Sequence, residues 1–169
     1  MSDQTGAQTA AQTADRLAIM DKIYRYCRSV DRLDVACGHA VFHEDSTADF
    51  GASYVGTGRG WIDFVCQEHK RFLHHSHQVT NIIIELDGDK AGSESYVYAT
   101  LQRQDGDKVI QHNFWARYID KWSKRGGDWA VDSRFCIVDY GSQQEVDMLP
   151  GDPRSRRDTS DTSYTALKA

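Results

Sequence analysis

In the stretch FLHHSHQVTNIIIEL, His74, His75 and His77 stand at the entrance to an apolar run over positions 81–86. A neutral imidazole has an unperturbed pKa of about 6.5 and can take a proton at neutral pH. Three chemistries fit such a cluster: a metal site, a solvated histidine-rich turn, or one catalytic base with two bystanders. Metal coordination needs three or four converging ligands. His75 and His77 share a strand face, but no third ligand is spaced to join them, so no metal is expected. His77 precedes Asn81 by four residues, which puts both on one side of a regular strand. Taken alone, such a histidine is more often a hydrogen-bonded core or rim residue than a base.

A histidine base works best beside a carboxylate that fixes its tautomer. YRYCRSVDRLD offers Asp31, the residue after the last apolar turn of a helix, whose carboxylate can point off the helix end toward a sheet. The competing assignment has Asp31 or Asp34 capping the next helix.

The elements that must hold these residues follow from periodicity. Positions 1–13 are Gln/Thr/Ala-rich and expected to fray. Thr13 or Asp15 then caps a helix with Leu17, Ile19, Met20, Ile23, Cys27 and Val30 at helical spacing. A shorter second helix is expected to carry Leu33, Cys37, Ala40, Val41 and Phe42. STADFGASYVGTG reads as a small hairpin, and GWIDFVCQEHKRFL as a third helix through Trp61, Phe64, Val65, Glu68 and Phe72. Four strands follow, separated by DGDKAG, QDGDK and SKRGGD, whose glycines supply the positive φ of tight hairpins.

Helices first and a meander afterwards describe an α+β domain, with the helices packed on one face of a curved sheet. Positions 14–142 form that domain. Positions 143–169 form a polar tail, either a lid or a partly disordered segment. A curved sheet closed on one side by helices leaves a conical pocket, and small molecules bind in such concavities.

At 169 residues, 40% hydrophobic with 4 Trp, 8 Tyr and 6 Phe, the chain can bury one real core. Its formal net charge is -5 with both signs interleaved, which argues against a nucleic-acid surface. No apolar run approaches the roughly 20 residues that span a bilayer. MSDQTGAQTAAQTADR lacks the basic and apolar regions of a secretory signal. Cys27, Cys37, Cys66 and Cys136 have no CxxC spacing, and Cys27 and Cys136, inside apolar patterns, read as reduced, buried thiols. The expected location is cytoplasmic.

The order of elements, with YCRSVDRLD, HQVTNIIIELDGDKA, NFWARYIDKW and GGDWAVDSR, resembles the nuclear transport factor 2-like superfamily, in its SnoaL-like branch. The resemblance covers about positions 14–142 and implies a cone-shaped α+β barrel. It does not fix the activity, because this superfold hosts many functions. Some members are cofactor-free lyases with an Asp–His dyad: scytalone dehydratase, hexachlorocyclohexane dehydrochlorinase and bile acid 7α-dehydratase. In the latter two, the aspartate follows the first helix and the histidine opens the strand after the third. Asp31 and His77 match those places, His77 within a His-x-x-Thr-Asn pattern.

Tyr26 matches a pocket residue five before the aspartate. Arg134 follows Trp129 at the spacing of the dehydrochlorinase arginine. The resemblance thus implies His77 as base, Asp31 as its orienting partner, Tyr26 as donor to a leaving hydroxyl or oxyanion, and Arg134 as partner of a leaving group. Tyr98, Trp115, Tyr54 and Phe42 are candidate pocket walls, and His112 is the candidate for a second pocket histidine. His74 and His75 are left as rim residues.

The expected reaction is cofactor-free elimination, or carbon–carbon cleavage with aldehyde release, on a small hydrophobic aromatic or polycyclic molecule. Isomerase or polyketide-cyclase chemistry, and a non-catalytic binding or scaffold role, remain alternatives. NFWARYIDKW carries bulk on both faces, His112, Phe114, Tyr118 and Trp122 against Asn113, Trp115 and Ile119. Such a strand is covered on both sides, so a homo-oligomer is expected, a trimer first and a dimer second.

Overall fold

The computed structural model describes residues 2–148, 151 and 154–167, with side chains from position 9 onward. Its first element is a single helix, α1, Ser2–Asp31. That differs from the expected start at Thr13 or Asp15. Alanine and glutamine continue a helix at little cost, and no proline interrupts them. Thr13 bonds back to the Thr9 carbonyl at 2.9 Å, as a residue inside a helix does. The apolar face also begins later than its spacing suggested: Leu17 is 60% exposed, and burial starts at Ile19 and Ile23.

Asp34 caps the short α2, Val35–His39, by accepting from the Cys37 backbone N–H at 3.0 Å. Gly38 lets α2 lie against the next helix, since a Cβ there would meet Ile62 at 2.6 Å. Phe42 does not belong to α2, as the sequence suggested, but opens β1, Phe42–Asp49. Strand β2, Val55–Thr57, pairs antiparallel with β1 and completes the expected hairpin. Helix α3, Gly58–Glu68, is capped by Thr57 and runs into a 3-10 turn over His69–Arg71.

Strands β3 (His74–Asp87), β4 (Lys90–Asp105), β5 (Lys108–Arg125) and β6 (Asp128–Val146) form the meander. Strand β6 runs past position 143, where the sequence placed the tail. The β5–β6 turn needs positive φ twice, and Gly126 and Gly127 supply it at 61° and 91°. The sheet has the order β2-β1-β6-β5-β4-β3 and is mixed, because β1 runs parallel to β6. Register shifts interrupt β3, β5 and β6, and such bulges curl a sheet. One shift falls between Thr80 and Ile83, with Asn81 at φ 50, so strict alternation from His77 to Asn81 does not hold.

Inside the curl, β4 presents Ala91, Ser93, Ser95, Val97, Ala99 and Leu101, all buried. Mostly small side chains there leave room on the concave face, and Val97, Ala99 and Leu101 line it. Asp15 serves not as a cap but as a clamp, accepting from the Trp129 indole and from Lys124, each at 2.8 Å. Among the described residues no helix is long and apolar enough to cross a membrane. The four cysteines are unpaired.

Candidate active site

The chain leaves α1 through Leu33, whose φ is 54. This turn sends Asp34 to cap α2 and leaves Asp31, the last residue of α1, directed at β3. Asp31 holds His77 twice. One carboxylate oxygen accepts from ring Nδ1 at 2.7 Å, the other from the His77 backbone N–H at 3.0 Å. A carboxylate only accepts, so Nδ1 carries a proton, and in the neutral ring Nε2 keeps its lone pair. The two side chains are 9% and 17% exposed. They are shielded enough to hold their geometry and open enough to meet a ligand.

His77 forms part of the wall of a cavity of about 150 Å³ between α1, α3 and the concave sheet face. Tyr26, Trp61, His69, Val97, Tyr118 and Cys136 are among the other walls. Tyr26 is 2% exposed, and its hydroxyl oxygen accepts from the Trp61 indole at 2.8 Å. The Tyr26 proton is thus free to be donated. Burial holds the phenol pKa well above its ordinary value, with the nearby Arg134 charge working against it, so Tyr26 keeps its proton. Burial likewise pushes the Cys136 thiol up to about 12, which leaves it a neutral wall. Phe114 and Val138, 36% and 55% exposed, mark the mouth.

Arg134 differs from expectation. It does not line the cavity. It and Asp120, register partners on β6 and β5, are both 0% exposed and joined by two hydrogen bonds of 2.8 Å. Burial opposes the guanidinium charge, and the Asp120 carboxylate outweighs it. The guanidinium lies 4.0 Å from the Tyr26 ring centroid and 4.3 Å from that of Tyr118. Arg134 therefore supports the ring of Tyr26 from behind.

Other candidate walls also lie elsewhere. Tyr98 and Trp115 sit on the outer sheet face, because Ala99 and Phe114 take the inward positions next to them. Tyr98 bonds Asn113 at 3.0 Å, and Trp115 stacks on Tyr140 at 4.6 Å. Phe42 is core, edge-on to Tyr26 at 6.1 Å. Tyr54 packs on Trp61 and Phe64 outside the cavity. His112 accepts from Arg103 at 3.1 Å in a groove of about 570 Å³ that shares Phe114 with the cavity mouth.

Of the remaining histidines, His74 is exposed. His75 is more than a rim residue: its Nε2 contacts the Val30 carbonyl at 2.9 Å and its Nδ1 contacts Arg157 at 3.3 Å. Arg157 also donates to the His69 carbonyl at 3.1 Å. Nearby, the C-terminal helix α4, Thr162–Ala166, lies against α1: Tyr164 donates to Asp34 at 2.7 Å, and Arg28 lies over the Tyr164 ring. Among the described residues no group of three or more His, Cys, Asp or Glu is placed to hold a metal ion.

His69 is the titratable wall residue that sequence reading missed, along with apolar walls such as Phe50, Trp61 and Val97. It is 8% exposed, and its ring lies 5.8 Å from that of His77 at an interplanar angle of 18°. One signal was available: Trp61, Val65 and His69 recur every fourth residue, a single helical face.

Comparison with known proteins bears on the family and the fold. Residues 11–134 match the SnoaL-like domain family. A search of curated proteins finds no sequence match. Among solved structures, a candidate scytalone dehydratase from Novosphingobium aromaticivorans aligns with TM-score 0.71 and 20% identity, over 88% of this chain and 99% of that one. The hexachlorocyclohexane dehydrochlorinase LinA-type3 from Novosphingobium barchaimii aligns with TM-score 0.72 and 18% identity, over 83% and 97%. A protein of unknown function with a cystatin-like fold from Nostoc punctiforme aligns with TM-score 0.62 and 26% identity, over 75% and 92%. At such identities the solved structures speak for the fold, and the domain match speaks for the lineage: this chain belongs to the SnoaL-like domain family of the nuclear transport factor 2-like superfamily.

Proposed function

We propose that this chain is a cofactor-independent lyase in which His77 is the base, Asp31 orients it, and Tyr26 binds the departing oxygen or halogen. The observation that carries this reading is the twofold hold of Asp31 on His77 beside an apolar cavity. The Nε2 lone pair removes a proton from a substrate carbon, and the ring becomes an imidazolium next to the Asp31 carboxylate. Electrons of the broken C–H bond form the new π bond, and the leaving group departs with its own pair. Tyr26 is held protonated, so it stabilises that group by a hydrogen bond. The proton on His77 is then passed to the departing anion.

A void of about 150 Å³ holds a benzene-sized body. A single aromatic or alicyclic ring therefore fits inside, and a polycyclic substrate would extend past Phe114 into the neighbouring groove. A scaffold role would leave the void and the dyad without purpose, so the enzyme reading is preferred. Isomerisation or cyclisation would use the same base without loss of a group.

The test is product mass. Ring-bearing alcohols, halides and diols incubated with the protein should lose water, hydrogen halide or formaldehyde. His77→Ala and Asp31→Asn should each lower turnover by roughly 10²-fold or more with the fold retained. Near-wild-type turnover in either variant would sink the dyad, and a product isomeric with its substrate would move the protein to the isomerases.

A further inference from the structure

Beside the dyad, the cavity holds a second imidazole to which the mechanism assigns no task. His69 lines the same void as His77 and Tyr26. It is more than nine-tenths buried, and its Nδ1 is buried with no hydrogen-bond partner among the described residues. A buried polar atom without a partner costs stability. A side chain that only filled space here would be better apolar, as its face neighbours Trp61 and Val65 are. Its main chain is well anchored, since Arg157 donates to the His69 carbonyl at 3.1 Å. Phe72 meets the ring edge-on at 5.5 Å, and His75 lies 4.7 Å away. The ring is thus fixed in place while its Nδ1 has no partner among the described residues.

We propose that His69 is a substrate-binding residue whose imidazole hydrogen-bonds an oxygen on the ring-sized substrate, so that the ligand class is an oxygenated ring rather than a pure hydrocarbon. The contact is neutral. Burial above all, with the guanidinium charges of Arg157 and Arg71 adding to it, keeps His69 unprotonated. A neutral His69 can supply a hydrogen bond without competing for the proton that His77 takes. The substrate oxygen then sits against His69 and aligns the ring for its neighbour His77. This deepens the lyase reading and rests on it for the identity of the void as the substrate site.

Phenol and toluene serve as probes, because they match in size and differ by one hydroxyl. Binding is read by titrating ¹⁵N-labelled protein and following the imidazole nitrogen resonances. The wild-type protein is expected to prefer phenol by about tenfold or more, with a shift of the His69 nitrogens on binding. His69→Phe, which keeps bulk and removes both nitrogens, should abolish the preference, and His69→Gln should keep part of it. Tyr26→Phe separates the other hydroxyl partner: a preference lost only in that variant overturns the proposal. So does an unchanged preference in His69→Phe, or its equal loss in a folded His69→Gln. If His69→Phe does not fold, the wild-type nitrogen shifts and the His69→Gln preference decide. Binding of phenol needs no turnover, so a failed dyad would leave this result standing, and the reverse also holds.

Discussion

Trp61 donates its indole N–H to the hydroxyl oxygen of Tyr26 at 2.8 Å, and that single contact decides which way the tyrosine can act. With one lone pair occupied, the phenol is turned into a donor. Tyr26→Phe is expected to lower turnover by roughly 10²-fold, the usual loss when one oriented donor is removed from a reacting centre. Trp61→Phe keeps the phenol and loses only its orientation, so its effect should stay within about tenfold. Steady-state kinetics on any confirmed substrate measures both. Equal losses would show that the indole has a role of its own.

Arg134 and Asp120 make a second kind of prediction, about stability. Both side chains are 0% exposed, so removing one leaves a charge buried without its partner. Asp120→Asn or Arg134→Met should each cost about 3–5 kcal/mol in urea denaturation, and the double variant Arg134→Met with Asp120→Leu should recover much of that. Full additivity of the two losses would contradict a coupled pair.

These two cases show what the sequence could and could not reveal. The meeting of Asp31 with His77 was legible because each stands at or near the end of an element, where position in the chain predicts position in space. Tyr98 and Trp115 misled, since large aromatics suit either face of a sheet, and only the inward Ala99 and Phe114 settle which face is which. The role of Arg134 depends on Asp120 across a strand pair, a relation that spacing along one strand cannot express. His69 hid at the junction of α3 with a 3-10 turn, just where helical periodicity stops being trustworthy.

Acid should weaken the fold earlier than carboxylate titration alone would. Burial above all, with the nearby guanidinium charges of Arg157 and Arg71 adding to it, lowers the His69 pKa from 6.5 to about 2. Between those values the unfolded chain binds a proton that the folded chain does not. Stability from this source is therefore whole above pH 6.5 and declines as pH falls toward 2, by at most about 1.4 kcal/mol per pH unit. Burial lowers the His75 pKa too, so it acts in the same direction. Urea midpoints at about pH 7.5 and about pH 5 should fall further in the wild type than in His69→Phe. Parallel declines would show that the histidine is solvated.

The outer sheet face predicts self-association. Ile83, Tyr96, Phe135 and Tyr140 are 56%, 43%, 50% and 59% exposed there, around the stacked Trp115. A patch of that kind calls for a partner surface, and a second copy of the chain is the partner proposed here. Light scattering should give a multiple of the 19.1 kDa chain mass, three before two, and Phe135→Glu with Tyr140→Glu should lower it. A wild-type mass near one chain would end the idea.

The C-terminal segment is expected to act on the site through His75 and His69, both held by Arg157. Arg157→Ala removes one hydrogen bond to that ring and one to the His69 carbonyl. Turnover should drop several-fold, while stability should change by less than about 1.5 kcal/mol, the range of ordinary hydrogen bonds. A large loss of stability with unchanged turnover would make the segment a structural prop only.

Strand β1 has two neighbours, β2 next to it in sequence and β6 more than eighty residues on; its partners there run from Phe42↔Val131 to Asp49↔Phe135. The strand that completes the sheet is thus the last to leave the ribosome. Until then a nascent chain carries the inward faces of β1 and α3 uncovered, and contacts this distant in sequence form slowly. The half-built sheet is therefore the stage at which aggregation is expected to compete with folding. Slower synthesis at low temperature, or a chaperone that shelters the open sheet, should raise recovery of folded protein without changing its final stability.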